Sequence, residues 1–230
     1  MNEQNLLVVT FKDEIKPQEL PLLRGAIIHS MDKESTLFHN HVENDKLRYS
    51  YPLIQYKSVQ RHPAVVCLNE GTEAIGEFFS AEPKKLMLGH RLLQLEVDHI
   101  DASIFEIKMT DQVVSYSIRQ WLPLNQNNYK AYRSMESLAE KVAFLQSMLT
   151  ANILSFLKGM DIRLDSKLEV RIIRLQPLHH IIFKGIRMMA FNATFKTNIT
   201  LPSYIGLGKG ASLGYGTLYQ LRQHESNDKL

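Results

Sequence analysis

Short β-branched apolar runs alternate with helical stripes in the order β-α-β-β-α-β over the first half of the chain, and a strand, a long helical stripe and further strands fill the second. With 230 residues, enough for two small domains of about 100 residues each, this repetition predicts an α+β protein of two tandem ferredoxin-like folds. The expected bounds are 1–112 and 113–223, with a tail at 224–230.

Leu6 to Phe11 (Leu-Leu-Val-Val-Thr-Phe) reads as a buried strand. Pro17 suits the first turn of a helix, Glu19 sits near the positive end of its dipole, and Leu20, Leu23 and Ile27 follow at helical spacing. Tyr51 to Val59 and Ala64 to Leu68 are expected strands joined by a polar turn at 60–63, and Gly71 to Ser80 a second helix. Leu86 to Val97, Ser103 to Met109 and Val113 to Trp121 read as strands. The longest stripe carries Met135, Leu138, Val142, Leu145, Leu149, Ile153 and Phe156, with Ser134 as expected N-cap and Gly159 as stop. Strands at Leu168 to Leu175, at Ile181 to Leu201 with Gly185 interrupting, and at Thr217 to Leu221 complete the chain.

Composition narrows the class. A 44% hydrophobic content fits a globular protein rather than a disordered or fibrous one. Cys67 is the only cysteine, so neither an internal disulfide nor a multi-cysteine zinc site is expected. No signal peptide pattern and no apolar run of roughly 18 residues is present, which makes a cytoplasmic protein without a membrane span the expectation.

The net charge of +3 hides an asymmetry. Between Val170 and Arg222 there is no Asp or Glu, while Arg171, Arg174, Lys184, Arg187, Lys196, Lys209 and Arg222 supply seven positive charges. Either this region meets a polyanion, or a buried β-rich region has little use for carboxylates. Arg171 and Arg174, three apart, would take opposite faces of an ideal strand.

Five of the 11 glycines fall within residues 206–216. Successive amides in such a loop can converge on a phosphate, with Lys209 adding a point charge. Gly208-Lys209-Gly210 lacks the Lys-Ser/Thr pair of a P-loop. Gly210-Ala-Ser212-Leu-Gly214 matches a hydrolase elbow but leads into an expected strand, with no acid and histidine following in order. A dinucleotide fingerprint fails at Leu213.

What remains is Gly206-Leu-Gly208, five residues, then Gly214-Tyr-Gly216. This doublet of Gly-hydrophobic-Gly resembles the C-terminal loop of CRISPR-associated endonucleases that cut repeat RNA into guide RNAs, a family with tandem RRM-like folds. The resemblance extends to Leu23-Arg24-Gly25-Ala26, Phe38-His39-Asn40-His41 and Tyr49-Ser-Tyr51-Pro52-Leu-Ile-Gln55-Tyr56-Lys57. It implies a metal-independent endoribonuclease acting on a CRISPR repeat transcript, with no cofactor. A CRISPR effector complex and a homodimer are left open as further partners.

Such cleavage needs a base for the ribose 2'-OH, an acid for the departing 5'-oxygen and groups around the phosphorane. His39 and His41, two apart, would project from one side of an extended segment, and the resemblance makes them the catalytic pair. His29 is an alternative. Tyr49 and Lys57 are candidates for stabilising charge or positioning the phosphate. RNA contacts are expected from Gly206, Gly208, Lys209, Gly210, Ser212, Gly214, Gly216, Lys184, Arg187 and Arg174, with Tyr204 and Tyr215 as stacking candidates. Two other functions fit fewer features: a non-catalytic subunit holding a repeat-derived handle, and a small-molecule enzyme using the loop for a phosphate ligand.

Overall fold

A computed structural model describes residues 3–30, 51–79, 85–178 and 180–221. The first half builds an antiparallel sheet from β1 (Glu3–Phe11), β2 (Ile54–Val59), β3 (His62–Leu68) and β6 (Val97–Glu106), in the order β2-β3-β1-β6. That is the strand order of a ferredoxin-like unit. Strand parity divides β1 between two cores: Leu6 and Val8 face one, Val9 and Phe11 the other. On the Val9 side lie α1 (Leu20–Ser30), reached through a 3-10 turn at Pro17–Glu19, and α2 (Glu70–Phe79). Leu20, Leu23 and Ile27 of α1 and Ile75 and Phe78 of α2 are buried there, as their spacing predicts.

The run Leu86 to Val97 is a hairpin followed by the start of β6 rather than one strand. β4 (Lys85–Leu88) pairs with β5 (Arg91–Gln94) across a turn in which Gly89 takes φ +63°. Leu86 opposite Leu93 puts the apolar side of this ribbon on the α1 core, which needs the reversal at Gly89.

The second half repeats the pattern with β7 (Met109–Trp121), β8 (Val170–Pro177), β11 (Phe191–Ile199) and β12 (Thr217–Gln220), ordered β12-β7-β11-β8. A hairpin of β9 (Ile181–Phe183) and β10 (Ile186–Met188) precedes β11. Two helices lie between β7 and β8: α3 (Gln126–Ser134) and α4 (Leu138–Gly159). Ser134 therefore ends a helix instead of starting one, its hydroxyl donating to Ala131 O at 2.8 Å. The start of α4 is Ser137, whose side chain accepts from the Glu140 amide while Glu140 returns a bond to the Ser137 amide. This reciprocal capping box outcompetes a lone serine three residues upstream.

Where a second crossover helix would join β11 to β12, the described chain has the glycine-rich loop. A single core then spans both halves, from Leu6, Val8, Val66 and Leu68 of the first sheet to Trp121, Leu149, Phe156 and Phe191 of the second half. The first sheet is thus covered on both faces. No described helix is long and apolar enough to cross a membrane.

Candidate functional site at the glycine-rich loop

The loop is fastened to the segment that runs from Tyr51 into β2. Tyr51 OH donates to Gly206 O at 2.8 Å, and Gln55 Oε1 accepts from Gly206 N at 2.8 Å while Gln55 Nε2 donates to Tyr51 OH at 2.8 Å. The Tyr56 amide donates to Ser212 O at 2.8 Å, and Lys57 Nζ to Ala211 O at 2.6 Å. Residues 211–213 thereby finish the outer edge of the first sheet, with Tyr56 bridged to Leu213. An exposed edge strand is a hazard for aggregation, and here a loop about 150 residues downstream covers it.

Tight packing explains the glycines. A Cβ on Gly206 would lie 2.5 Å from Ala211 O and 2.7 Å from Lys57 Nζ, so the loop's start closes on its middle only without one. Gly216, at φ +62°, accepts from Leu207 N at 2.9 Å, and a Cβ there would overlap the Leu207 carbonyl. Ile205, Leu207 and Leu213 turn inward and are buried. Lys209 stays exposed, and Gly208, Gly210 and Ser212 are half-buried. Among the described residues, the amides from Gly208 to Ser212 find no protein acceptor. The carbonyls of Gly206, Ala211 and Ser212 are taken by the first half, and five successive N–H groups stand without an acceptor among the described residues, the arrangement of an anion-binding nest.

Around this loop the structure gathers part of the predicted basic set. Lys184, in the β9–β10 turn, lies 5.9 Å from the centre of the Phe183 ring, and Lys209 reaches the same ring at 5.7 Å. Phe183 meets Tyr215 edge-on at 5.2 Å. Arg187 is exposed on β10, opposite Ile182. Tyr204 packs edge-on against Tyr219 at 5.6 Å, so both tyrosines proposed for stacking have one edge committed to another ring.

Arg174 belongs to a second basic group, on the open face of the second sheet. Across that sheet, Tyr219, Ser117, Thr194 and Arg174 stand in one row. In the next, Ser115, Lys196 and Arg171 are aligned. Arg171 and Arg174 share this face, contrary to the ideal-strand expectation, because β8 carries an extra residue between them where the register shifts at Thr194/Phe195. Arg119, which no motif marked, stacks on the Tyr219 ring at 4.8 Å. It lines both a polar depression of about 200 Å³ with Arg174 and Asn192, and a cleft of about 310 Å³ that leads between the halves to Leu20, Ser58 and Gly214. Arg119 was invisible in the sequence because it precedes the acid-free stretch and only the sheet brings it beside Arg174.

Lys57 is fully buried, with no carboxylate paired to it among the described residues, and burial holds its ammonium down to about 7. Tyr51 is pushed up by the same burial, against the opposing bonds to Gln55 and Gly206. Trp121 donates to Asn152 Oδ1 at 2.9 Å within the core. His29 is exposed in the last turn of α1. His39, His41 and Tyr49 lie outside the described residues. No cluster of three metal-ligating side chains occurs among the described residues.

Comparison with known proteins gives two adjoining family matches: the Cas6b N-terminal domain over residues 2–106 and the Cas6b C-terminal domain over residues 108–221. An uncharacterized protein of Methanocaldococcus jannaschii is 27% identical over 119 residues, covering 51% of this chain and 80% of that protein. A crystal structure of Cas6b superposes with a TM-score of 0.87 at 24% identity, covering 95% of this chain and 100% of the other. That of a CRISPR RNA processing endoribonuclease Cas6b gives 0.74 at 22%, covering 95% and 100%. Csf5, a type IV Cas6 crRNA endonuclease, gives 0.57 at 15%, covering 96% and 100%.

Proposed function

The chain belongs to the Cas6b family of CRISPR RNA processing endoribonucleases, and from that premise we propose that it cuts a CRISPR repeat transcript without metal, by 2'-OH attack. One histidine of the pair His39 and His41 takes the 2'-OH proton as the oxygen bonds to phosphorus. The other protonates the departing 5'-oxygen, leaving a 2',3'-cyclic phosphate upstream and a 5'-hydroxyl downstream. Tyr49 supports the phosphorane. In this reading residues 1–112 carry the chemistry and residues 113–223 hold the RNA, a backbone phosphate settling on the amides of Gly208 to Ser212 beside Lys209, Lys184 and Arg187. Arg174, with Arg119, Arg171 and Lys196, meets phosphates further along the strand.

The observation that supports this best is the loop itself: the Ala211 and Ser212 carbonyls are engaged by β2, and the amides of Gly208 to Ser212 have no acceptor among the described residues. A small cleavage assay tests it. The host repeat RNA is cut in EDTA, a 2'-deoxy substitution at the scissile nucleotide blocks cutting, and the double variant His39→Ala/His41→Ala loses at least about 10²-fold in single-turnover rate while retaining binding. A divalent-metal requirement, or cutting of the deoxy substrate, contradicts the mechanism, and binding without turnover by the wild-type chain makes it a handle-holding subunit.

A further inference from the structure

Lys57 combines three properties that a phosphate-contacting lysine does not need. It has no exposed surface, its Nζ already donates to Ala211 O at 2.6 Å, and it lies against Gly206, so the ammonium is enclosed between the start and the middle of the glycine-rich loop. A phosphate bound outside the loop cannot reach it unless the loop moves. Its neighbours on the same segment act on the same target: Tyr51 and Gln55 hold Gly206, and the Tyr56 amide holds Ser212. Those bonds fix the loop's start and the last residue of the stretch Gly208–Ser212. The Lys57 bond falls on Ala211, the midpoint of residues 206–216 and inside the stretch whose amides find no acceptor among the described residues.

We infer that Lys57 is a positioning residue, tying the middle of the glycine-rich loop to the first half so that the amides of Gly208 to Ser212 are presented to RNA, and that it does not touch the scissile phosphate. This refines the expected part of Lys57 in charge stabilisation and rests on the proposal that the loop binds RNA. A bond to a charged donor, when lost, is felt about 10- to 100-fold in the equilibrium it supports. The tether acts on binding, since it shapes a surface, whereas a group in contact with the reacting atoms acts on the rate of saturated enzyme.

The test uses the full chain and two variants. Lys57→Met keeps the length and apolar stem of the side chain but not the donor. Gly206→Ala keeps the lysine but pushes the loop away from it. In each, the Kd for the repeat RNA is expected to rise by about 10-fold or more. The Tyr56 amide, which donates to Ser212, is expected to exchange with solvent faster in RNA-free protein. Single-turnover cleavage at saturating RNA should stay within about threefold of wild type for Lys57→Met. A fall of about 10²-fold or more in that rate with unchanged Kd places Lys57 in the chemistry and overturns the inference. Unchanged Kd and unchanged exchange overturn it equally, and should Lys57→Met not fold, Gly206→Ala decides alone on the same two readouts. A wild-type protein that binds no repeat RNA refutes the RNA reading instead, and the exchange of Tyr56 still reports on the tether.

Discussion

Burying Lys57, which has no counter-ion among the described residues, leaves a signature in the pH dependence of stability. In the unfolded chain Lys57 titrates near its ordinary 10.5, and in the fold it is held near 7 by desolvation. The groups around its Nζ are main-chain atoms of Gly206 and Ala211, Tyr51 and Tyr56 flank it on its own segment, Ala64 stands opposite on β3, and Lys209 is the charged residue of the loop. Between these two values the unfolded state binds a proton that the native state lacks, so unfolding free energy rises with pH, by up to about 1.4 kcal/mol per unit. Below about 7 both states carry the proton and the contribution is flat. Thermal melts of wild type against Lys57→Met between pH 6 and 9 are expected to diverge above neutrality, wild type gaining relative to the variant. Parallel curves would mean that Lys57 stays charged in the fold. The neutral amine still donates to Ala211, so the tether persists, weaker, on the alkaline side. None of this was legible in the sequence. Gln55 and Lys57 alternate with Ile54 and Tyr56 as they would on a strand with one wet face, and that face is dry only because residues 206–212 return to cover it.

At the scale of elements, periodicity located α4 but not its first turn. Met135 continues the apolar spacing backward, yet its backbone is extended and the helix begins after Ser137. The cap decides where a stripe becomes a helix, because the first amides need an acceptor that apolar residues cannot supply. Ser137→Ala is expected to cost about 1 kcal/mol, read as a lower midpoint in urea unfolding, with Ser134→Ala much milder. Equal losses would mean that the reciprocal Ser137–Glu140 bonds do not govern the helix start. Strand β8 shows the opposite limit: its type was readable and its faces were not, since a one-residue bulge between Arg171 and Arg174 reverses the parity that places a side chain on the core or the open side. The Gly-hydrophobic-Gly doublets were readable as a loop, but two of their glycines serve close packing, Gly206 against Ala211 and Gly216 against Leu207, before they serve any ligand.

At the scale of the whole molecule, the run of elements was recoverable from the sequence, including a glycine-rich loop rather than a helix before the last strand, whereas what that loop packs against was not, because it depends on residues about 150 positions upstream. The consequence is a continuous route on one molecule: the loop amides beside Lys209, the cleft at Gly214 and Leu20, then Arg119 and the open sheet face with Arg174. Charges on this route are exposed, so on the proposal that RNA crosses it their contribution is a counter-ion effect and must depend on salt. Each phosphate neutralised on single-stranded nucleic acid contributes about −0.7 to the slope of log K against log salt. Arg119→Ala/Arg174→Ala is therefore expected to make the slope for repeat RNA shallower by about 1.4 and to weaken binding most at low salt. Such a change belongs to RNA passing across the face, because removing two arginines from a bystander surface alters the long-range field only slightly and leaves the slope near its wild-type value. Single-turnover cleavage at saturating RNA should be unchanged in this double variant, separating the binding route from the chemistry assigned to His39 and His41. A slope equal to that of wild type would confine RNA to the loop and the first half.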